Sequence, residues 1–191
     1  RQRQMCIRDS PSPPPVEYIK NSGGLFLDMT IHDFDMARFI VDKEIDEIYV
    51  KGEALIDQEI QKVGDIDTAV VLMKYVDSTI AVIDNSRKSA YGYDQRIEVF
   101  GSKGMIQANN VKVDNSKLYN QNGIISSLPM DFFLERYMEA YKIEIQDFVD
   151  SVINNRGVSV TGIDGLKSLQ IGLAAKKSLL ENRPVKIIEI K

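Results

Sequence analysis

The sequence predicts an α+β fold: an open, mostly antiparallel β-sheet with helices packed on one face. Three observations carry that expectation. Strand-like alternation fills the middle of the chain, the turns joining those strands are only a few residues long, and helical spacing precedes and follows them. Connections that short cannot make the crossovers of a parallel sheet. Helix, then a run of strands, then two helices is the order of an α+β domain rather than of repeated βαβ units.

The first ten residues, RQRQMCIRDS, stand apart from the pattern that follows. MCIRDS resembles the translation of a sequencing-library adapter, so residues 1–10 are set aside from fold reasoning and residues 11–191 are read as the domain. A start of that kind implies a parent protein that begins upstream. The run SPSPPP then reads as an extended connector, because proline fixes φ and holds its predecessor out of the helical region. Residues 16–20 suit a short strand, and Asn21, Ser22, Gly23 and Gly24 a turn. A helix is expected over 28–41, apolar nearly all round and therefore buried.

From Glu47 the period changes to two. Strands are expected over 48–56, 68–76 and 79–86, the last two joined at Val76, Asp77 and Ser78. Segments 96–100 and 105–108 flank Gly101-Ser102-Lys103-Gly104, a hairpin signal, and 111–119 adds a further strand. Helical spacing returns over 132–154, with Phe133, Tyr137, Tyr141, Ile145, Phe148 and Ile153 on one face. Thr161 and Asp164 open a second long helix that runs to Asn182; Pro184 ends it, and 185–190 returns as an edge strand. Along the sheet, Val70, Leu72 and Lys74 alternate with Val71, Met73 and Tyr75. The second face is thus semi-apolar, and pairing with a second subunit is expected there.

At 191 residues, 43% apolar and 27% charged, the chain is long enough for one buried core and has no signature of disorder. Its apolar runs fall short of a membrane span. A formal charge of −4 and a pI near 5.1 give no general attraction to nucleic acid. Cys6, the single cysteine, lies in the segment set aside, so the domain has no thiol chemistry, which fits a cytoplasmic protein.

The chemistry concentrates in GGLFLDMTIHDFD, which holds the single histidine. If Asp28 opens a helix, Asp28, His32 and Asp35 share one stripe of its surface. An imidazole beside a carboxylate suits a general base near neutral pH. A purely structural i, i+4 hydrogen bond accounts for the same spacing equally well. A metal site built from Asp28, His32 and Asp33 or Asp35 lacks the three or four converging ligands required. No G-x-S-x-G elbow supports serine hydrolysis. The G-x-G-x-x-G fingerprint of dinucleotide binding is absent as well, and Gly101 to Gly104 fit a turn better. Tyr91, Gly92, Tyr93, Asp94, Gln95 and Arg96 form a polar aromatic cluster, suited either to capping the sheet or to offering hydroxyls and amides to a sugar-like ligand.

GGLFLDMTIHDFDMARF resembles the signature of the glucose-fructose oxidoreductase and inositol dehydrogenase family, whose second domain carries G-G-x-x-x-D-x-x-x-H. IDNSRKSAYGYDQRIEVFGSKGM, FFLERYMEAY and GLAAKKSLLENRPVKI resemble further blocks of it, in the expected order, so the resemblance extends over 11–191. It implies an enzyme that oxidises the axial hydroxyl of myo-inositol to an inosose with NAD as hydride acceptor. On that resemblance His32 accepts or relays the hydroxyl proton, and Asp28 holds substrate hydroxyls and orients the imidazole. Asp35 and Tyr91 are substrate contacts, and Tyr137 approaches the nicotinamide. The family's dinucleotide-binding domain, with the lysine of its E-K-P motif, is missing here, which implies an inactive fragment of an active parent. Two other readings stay open: a non-catalytic binding or oligomerisation module of the same fold, and a dehydrogenase of a related polyol or sugar.

Overall fold

Backbone pairing organises the molecule around a mixed sheet, seen in a computed structural model that describes the backbone of residues 3–9 and residues 11–190 in full. In chain order the elements are β1 (Arg3–Asp9), α1 (Val16–Ser22), α2 (Leu25–Asp28), α3 (Ile31–Val41), β2 (Ile45–Glu53), α4 (Gln58–Lys62), β3 (Thr68–Tyr75), β4 (Ile80–Ser86), β5 (Asp94–Gly101), β6 (Gly104–Ala108), β7 (Lys117–Asn120), β8 (Gly123–Ser126), α5 (Phe133–Ile153), α6 (Gly162–Glu181) and β9 (Val185–Lys186). Seven strands lie in the order β6-β5-β1-β4-β3-β2-β9, and β7 with β8 forms a separate hairpin. All neighbours in the large sheet are antiparallel except β1 and β4, which run parallel.

The alternation read along β3 sorts as the pleat requires. Val71, Met73 and Tyr75 are fully buried, while Val70 and Leu72 stand about half exposed on the opposite face. Beneath the buried face lie α2, α3 and α6, with Leu25, Phe34, Ile48, Val50, Ile83, Ile171 and Ala174 in one core. Polar ties lock these layers together: the Tyr75 hydroxyl donates to the Ala37 carbonyl at 3.0 Å, and the Val50 N–H, beyond the reach of short β9, donates to Ser178 Oγ at 3.1 Å. Gly172 is where α6 meets α2; a Cβ there would lie 2.6 Å from Leu27 Cδ2.

Several local expectations are corrected. Residues 16–20 are helical: Tyr18 and Ile19 donate to the Pro15 carbonyl, and Gly23, at φ +90°, ends the helix in the left-handed conformation. Capping signals at both ends thus overrode the β-propensity of Val16, Tyr18 and Ile19. The helix expected over 28–41 is two helices, α2 and α3, and it is not buried all round, because His32, Met36 and Phe39 are exposed. The strand expected over 111–119 is interrupted where Asp114 accepts the Ser116 N–H and the Ser127 hydroxyl; Lys112 makes an isolated bridge to Pro129, and Lys117–Asn120 pairs with β8. After Lys186 the last strand turns into a 3-10 turn, Ile187–Glu189, closed by the Lys186 N–H on Glu189.

The segment set aside as adapter-like is part of the sheet over Arg3–Asp9, with β4 on one side and β5 on the other. Main-chain groups make this ladder and any non-proline sequence supplies them, so the pairing leaves the segment's origin untouched. Arg1, Gln2 and Ser10 lie outside the described residues, as does the side chain of Cys6.

Candidate functional site

The junction of α2 and α3 sets the geometry of the D-x-x-x-H motif. The Thr30 N–H reaches back five residues to the Leu25 carbonyl at 3.0 Å, a wider turn than the α-helix makes, and a new helix starts as Asp33 and Phe34 donate to the Thr30 carbonyl. Thr30 is fully buried, and its hydroxyl donates to Asn85 Oδ1 at 2.7 Å from β4. Asn85 Nδ2 in turn donates to Asp33 Oδ2 at 3.2 Å, so one amide from the sheet holds the first turn of α3. Asp28 therefore ends one helix and His32 begins the next, where the imidazole faces the surface.

Asp28 sits at the meeting point of three elements. Its Oδ2 accepts from the buried Arg87 at 3.1 Å, and its Oδ1 accepts the Tyr18 hydroxyl, from α1, at 2.7 Å. That bond holds the Tyr18 phenol above its ordinary pKa, since ionising it would lose the donor and set a phenolate against the carboxylate. Arg87 also donates to Asp65 Oδ2 at 3.5 Å, and Asp65 Oδ1 accepts the Leu25 N–H at 3.1 Å. This last contact needs the glycine before it: Gly24 has φ +83°, and a Cβ there would stand 2.6 Å from Asp65 Oδ1.

A second network adjoins the first through β5. Gln95 Nε2 donates to Asp33 Oδ1 at 3.1 Å, while the Gln95 N–H donates to Asn110 Oδ1 at 2.7 Å. Asp94, fully buried, accepts from Arg96, Asn110 and the Tyr91 hydroxyl. Burial works against the charged form of Asp94, but these hydrogen bonds together outweigh it and hold the carboxyl below the usual carboxylate range. The Tyr91 hydroxyl is thereby committed to Asp94, with its ring exposed. Tyr93 meets Tyr137 edge to face, centroids 5.8 Å apart, which ties the start of α5 to the same end of the sheet.

Of the residues singled out by sequence, Asp28 bonds Arg87 just after β4, Tyr91 bonds Asp94 at the start of β5, Tyr137 in α5 meets Tyr93, and His32 is exposed in the first turn of α3. Asp35 is directed elsewhere. Its Oδ1 accepts from Ser168 of α6 at 3.0 Å and lies 3.6 Å from Arg38, beside an open groove of about 690 Å³ that includes neither Asp28 nor His32.

A family profile described as the GFO/IDH/MocA C-terminal domain matches residues 4–107. The chain belongs to the GFO/IDH/MocA family. It is 51% identical over 180 residues to a myo-inositol 2-dehydrogenase of Thermotoga maritima, a match covering 94% of this chain and 54% of the relative. Among solved structures, a probable dehydrogenase from Thermotoga maritima superposes with a TM-score of 0.96 at 49% identity, covering 98% of this chain and 57% of that one. A scyllo-inositol dehydrogenase from Lactobacillus casei, solved with NAD(H) and scyllo-inositol bound, superposes with a TM-score of 0.88 at 32% identity, covering 97% and 56%. The chain thus spans about half the length of the GFO/IDH/MocA relatives it matches.

What this half holds of a cofactor site can be tested on its own residues. In GFO/IDH/MocA relatives solved with NAD(H), a dinucleotide is present. Here Gly101 pairs with Gly104 to close the β5–β6 hairpin and opens no helix, so this pair is a turn and not a pyrophosphate cradle. Among the described residues no group of three or more His, Cys, Asp or Glu side chains is placed to hold a metal ion, and no helix is long and apolar enough to cross a membrane.

Sequence reasoning missed Tyr18, Asp65, Asn85 and Arg87, placed Gln95 only within the polar aromatic cluster, and weighed Asp33 only as a metal ligand. A signal existed for two of them. Ala81, Ile83, Asn85 and Arg87 keep one period-2 phase, all buried, so polar groups occupy the core phase where β4 ends.

Proposed function

We propose that this chain is the substrate-binding and catalytic half of an NAD-dependent inositol 2-dehydrogenase that converts myo-inositol to an inosose, with the dinucleotide held mainly by sequence outside it. The observation that carries this reading is the exposed imidazole of His32, four residues past an Asp28 carboxylate that already binds a hydroxyl, in a GFO/IDH/MocA chain half identical to a myo-inositol 2-dehydrogenase. NAD supplies the hydride acceptor. This chain supplies two groups of the catalytic set: Asp28 accepts hydrogen bonds from ring hydroxyls and holds one carbon in place, and His32 accepts or relays the proton of the hydroxyl being oxidised. Tyr91 contributes a further substrate contact through its exposed ring and Tyr137 lies toward the nicotinamide, whereas Asp35, bonded to Ser168, is left out of the substrate set.

In the full-length parent, NAD-dependent turnover of myo-inositol should exceed that of scyllo-inositol and glucose, and NAD should be preferred to NADP. His32→Ala and Asp28→Asn should each lower kcat/KM by roughly two to four orders of magnitude. The 191-residue chain alone should show no turnover. Full activity in the His32→Ala enzyme, or inositol oxidation by the isolated chain, would sink the reading. The half-exposed apolar row of Val70 and Leu72 supports a homo-oligomer assembled through the open sheet face.

A further inference from the structure

Arg87 carries a guanidinium with only 2% of its side chain exposed, placed directly after β4, where its own N–H continues the ladder by donating to the Asp67 carbonyl at 2.8 Å. Its Nη1 reaches Asp28 Oδ2 and its Nη2 reaches Asp65 Oδ2, while Nε has no acceptor among the described residues. An ion pair this buried is a poor device for stability, because desolvation offsets the Coulombic gain and an unbonded N–H adds to the cost. What the arrangement does achieve is fixed placement. Asp65 ties the guanidinium to the first N–H of α2, and Asp28 ties it to the last residue of the same helix, so one side chain grips α2 at both ends.

The two oxygens of Asp28 are thereby divided. Oδ2 is held from the core by Arg87. Oδ1 points outward and accepts a hydroxyl from Tyr18, a residue half open to solvent. That phenol shows the kind of group Oδ1 receives: a neutral hydroxyl donor arriving from the surface. We propose that Arg87 is a positioning residue for the dehydrogenase reaction, fixing the Asp28 carboxylate so that Oδ1 is presented to a polyol hydroxyl. The inference rests on the reading of Asp28 as a substrate ligand. Arginine suits the task because its planar fork reaches two carboxylates at once, which a lysine ammonium on a flexible stem does not reproduce.

The test is kinetic, on the full-length parent with myo-inositol and NAD, with folding of each variant checked by circular dichroism. Arg87→Met should lower kcat/KM by roughly a hundredfold, as expected when a binding group shifts by about an ångström. Arg87→Lys should recover part of that loss and leave roughly a tenfold deficit. Because Arg87 acts through Asp28, adding Arg87→Met to the Asp28→Asn enzyme should cost almost nothing further, whereas a merely structural role would subtract the same factor again. Wild-type kinetics in Arg87→Lys, or fully additive losses in the double variant, overturn the proposal. Should Arg87→Met fail to fold, the Arg87→Lys kinetics decide alone. A parent that oxidises no polyol at all overturns the functional reading itself, and is distinguished from a parent that does so regardless of residue 87.

Discussion

Asp28 accepts hydrogen bonds from opposite directions, and its usefulness depends on keeping those two directions distinct. The bond from Tyr18 has a titration signature. With the phenol donating to Asp28, its pKa lies above the ordinary 10.0, so the hydroxyl stays protonated at pH values where a free tyrosine has ionised. The raised folded value means the contact stabilises below the ordinary pKa and is lost as pH rises through the folded one. Asp28→Asn should bring the Tyr18 resonance back toward 10.0 in an NMR titration of selectively labelled tyrosines; an unchanged titration would remove the Tyr18–Asp28 bond from the account. His32 and Asp28 were legible at this scale from D-x-x-x-H alone. Arg87 was marked only as a polar residue in the core phase past β4 and Asp65 not at all, because the contacts that matter run between residues 59 and 22 positions apart in sequence.

Helix starts and hairpin turns depend on neighbours a few residues away, and the β3–β4 and β5–β6 hairpins and the starts of α5 and α6 were read with little error. Thr161 and Asp164 open α6 as expected, the Asp164 carboxylate accepting both the N–H and the hydroxyl of Thr161 at 2.8 Å. Thr161→Ala should cost about 1 kcal/mol in urea unfolding, with the m-value unchanged. A cost near zero would mean that α6 is held by its packed face alone. The break between α2 and α3 escaped the same style of reasoning. Nothing local in MTIHDF stops a helix; Asn85, fixed on β4 by the sheet, draws the Thr30 hydroxyl down and donates to Asp33, and the turn widens to allow it. Helical spacing alone gave one continuous stripe, and tertiary hydrogen bonds split it.

At the scale of the whole molecule, much apolar surface remains open. Among the described residues of α5 only Ser151 is buried, while Phe133, Leu134, Met138, Ile145, Phe148 and Val152 are exposed. The periodicity of this helix was legible, but its partner was not, since a stripe says that something is to be covered and not by what. The open face of the sheet is the second such surface. If a second copy covers it, Val70→Lys with Leu72→Lys should convert the oligomer to monomer in sedimentation-velocity runs without unfolding the chain; an unchanged sedimentation coefficient would place the interface elsewhere.

By itself the sequence determined what depends on near neighbours and on residue chemistry: helix before strands before two helices, the β3–β4 and β5–β6 hairpins, the start of α6, the alternation along β3, and a histidine and an aspartate four residues apart. Only the tertiary structure decided how those two residues are presented. The helix between them breaks because a sheet amide of β4 bonds its middle, Asp28 is gripped from below by the arginine that follows the same strand, and Asp35 is turned toward α6. Periodicity sees one element at a time, whereas a buried polar group must find partners wherever the folded chain brings them.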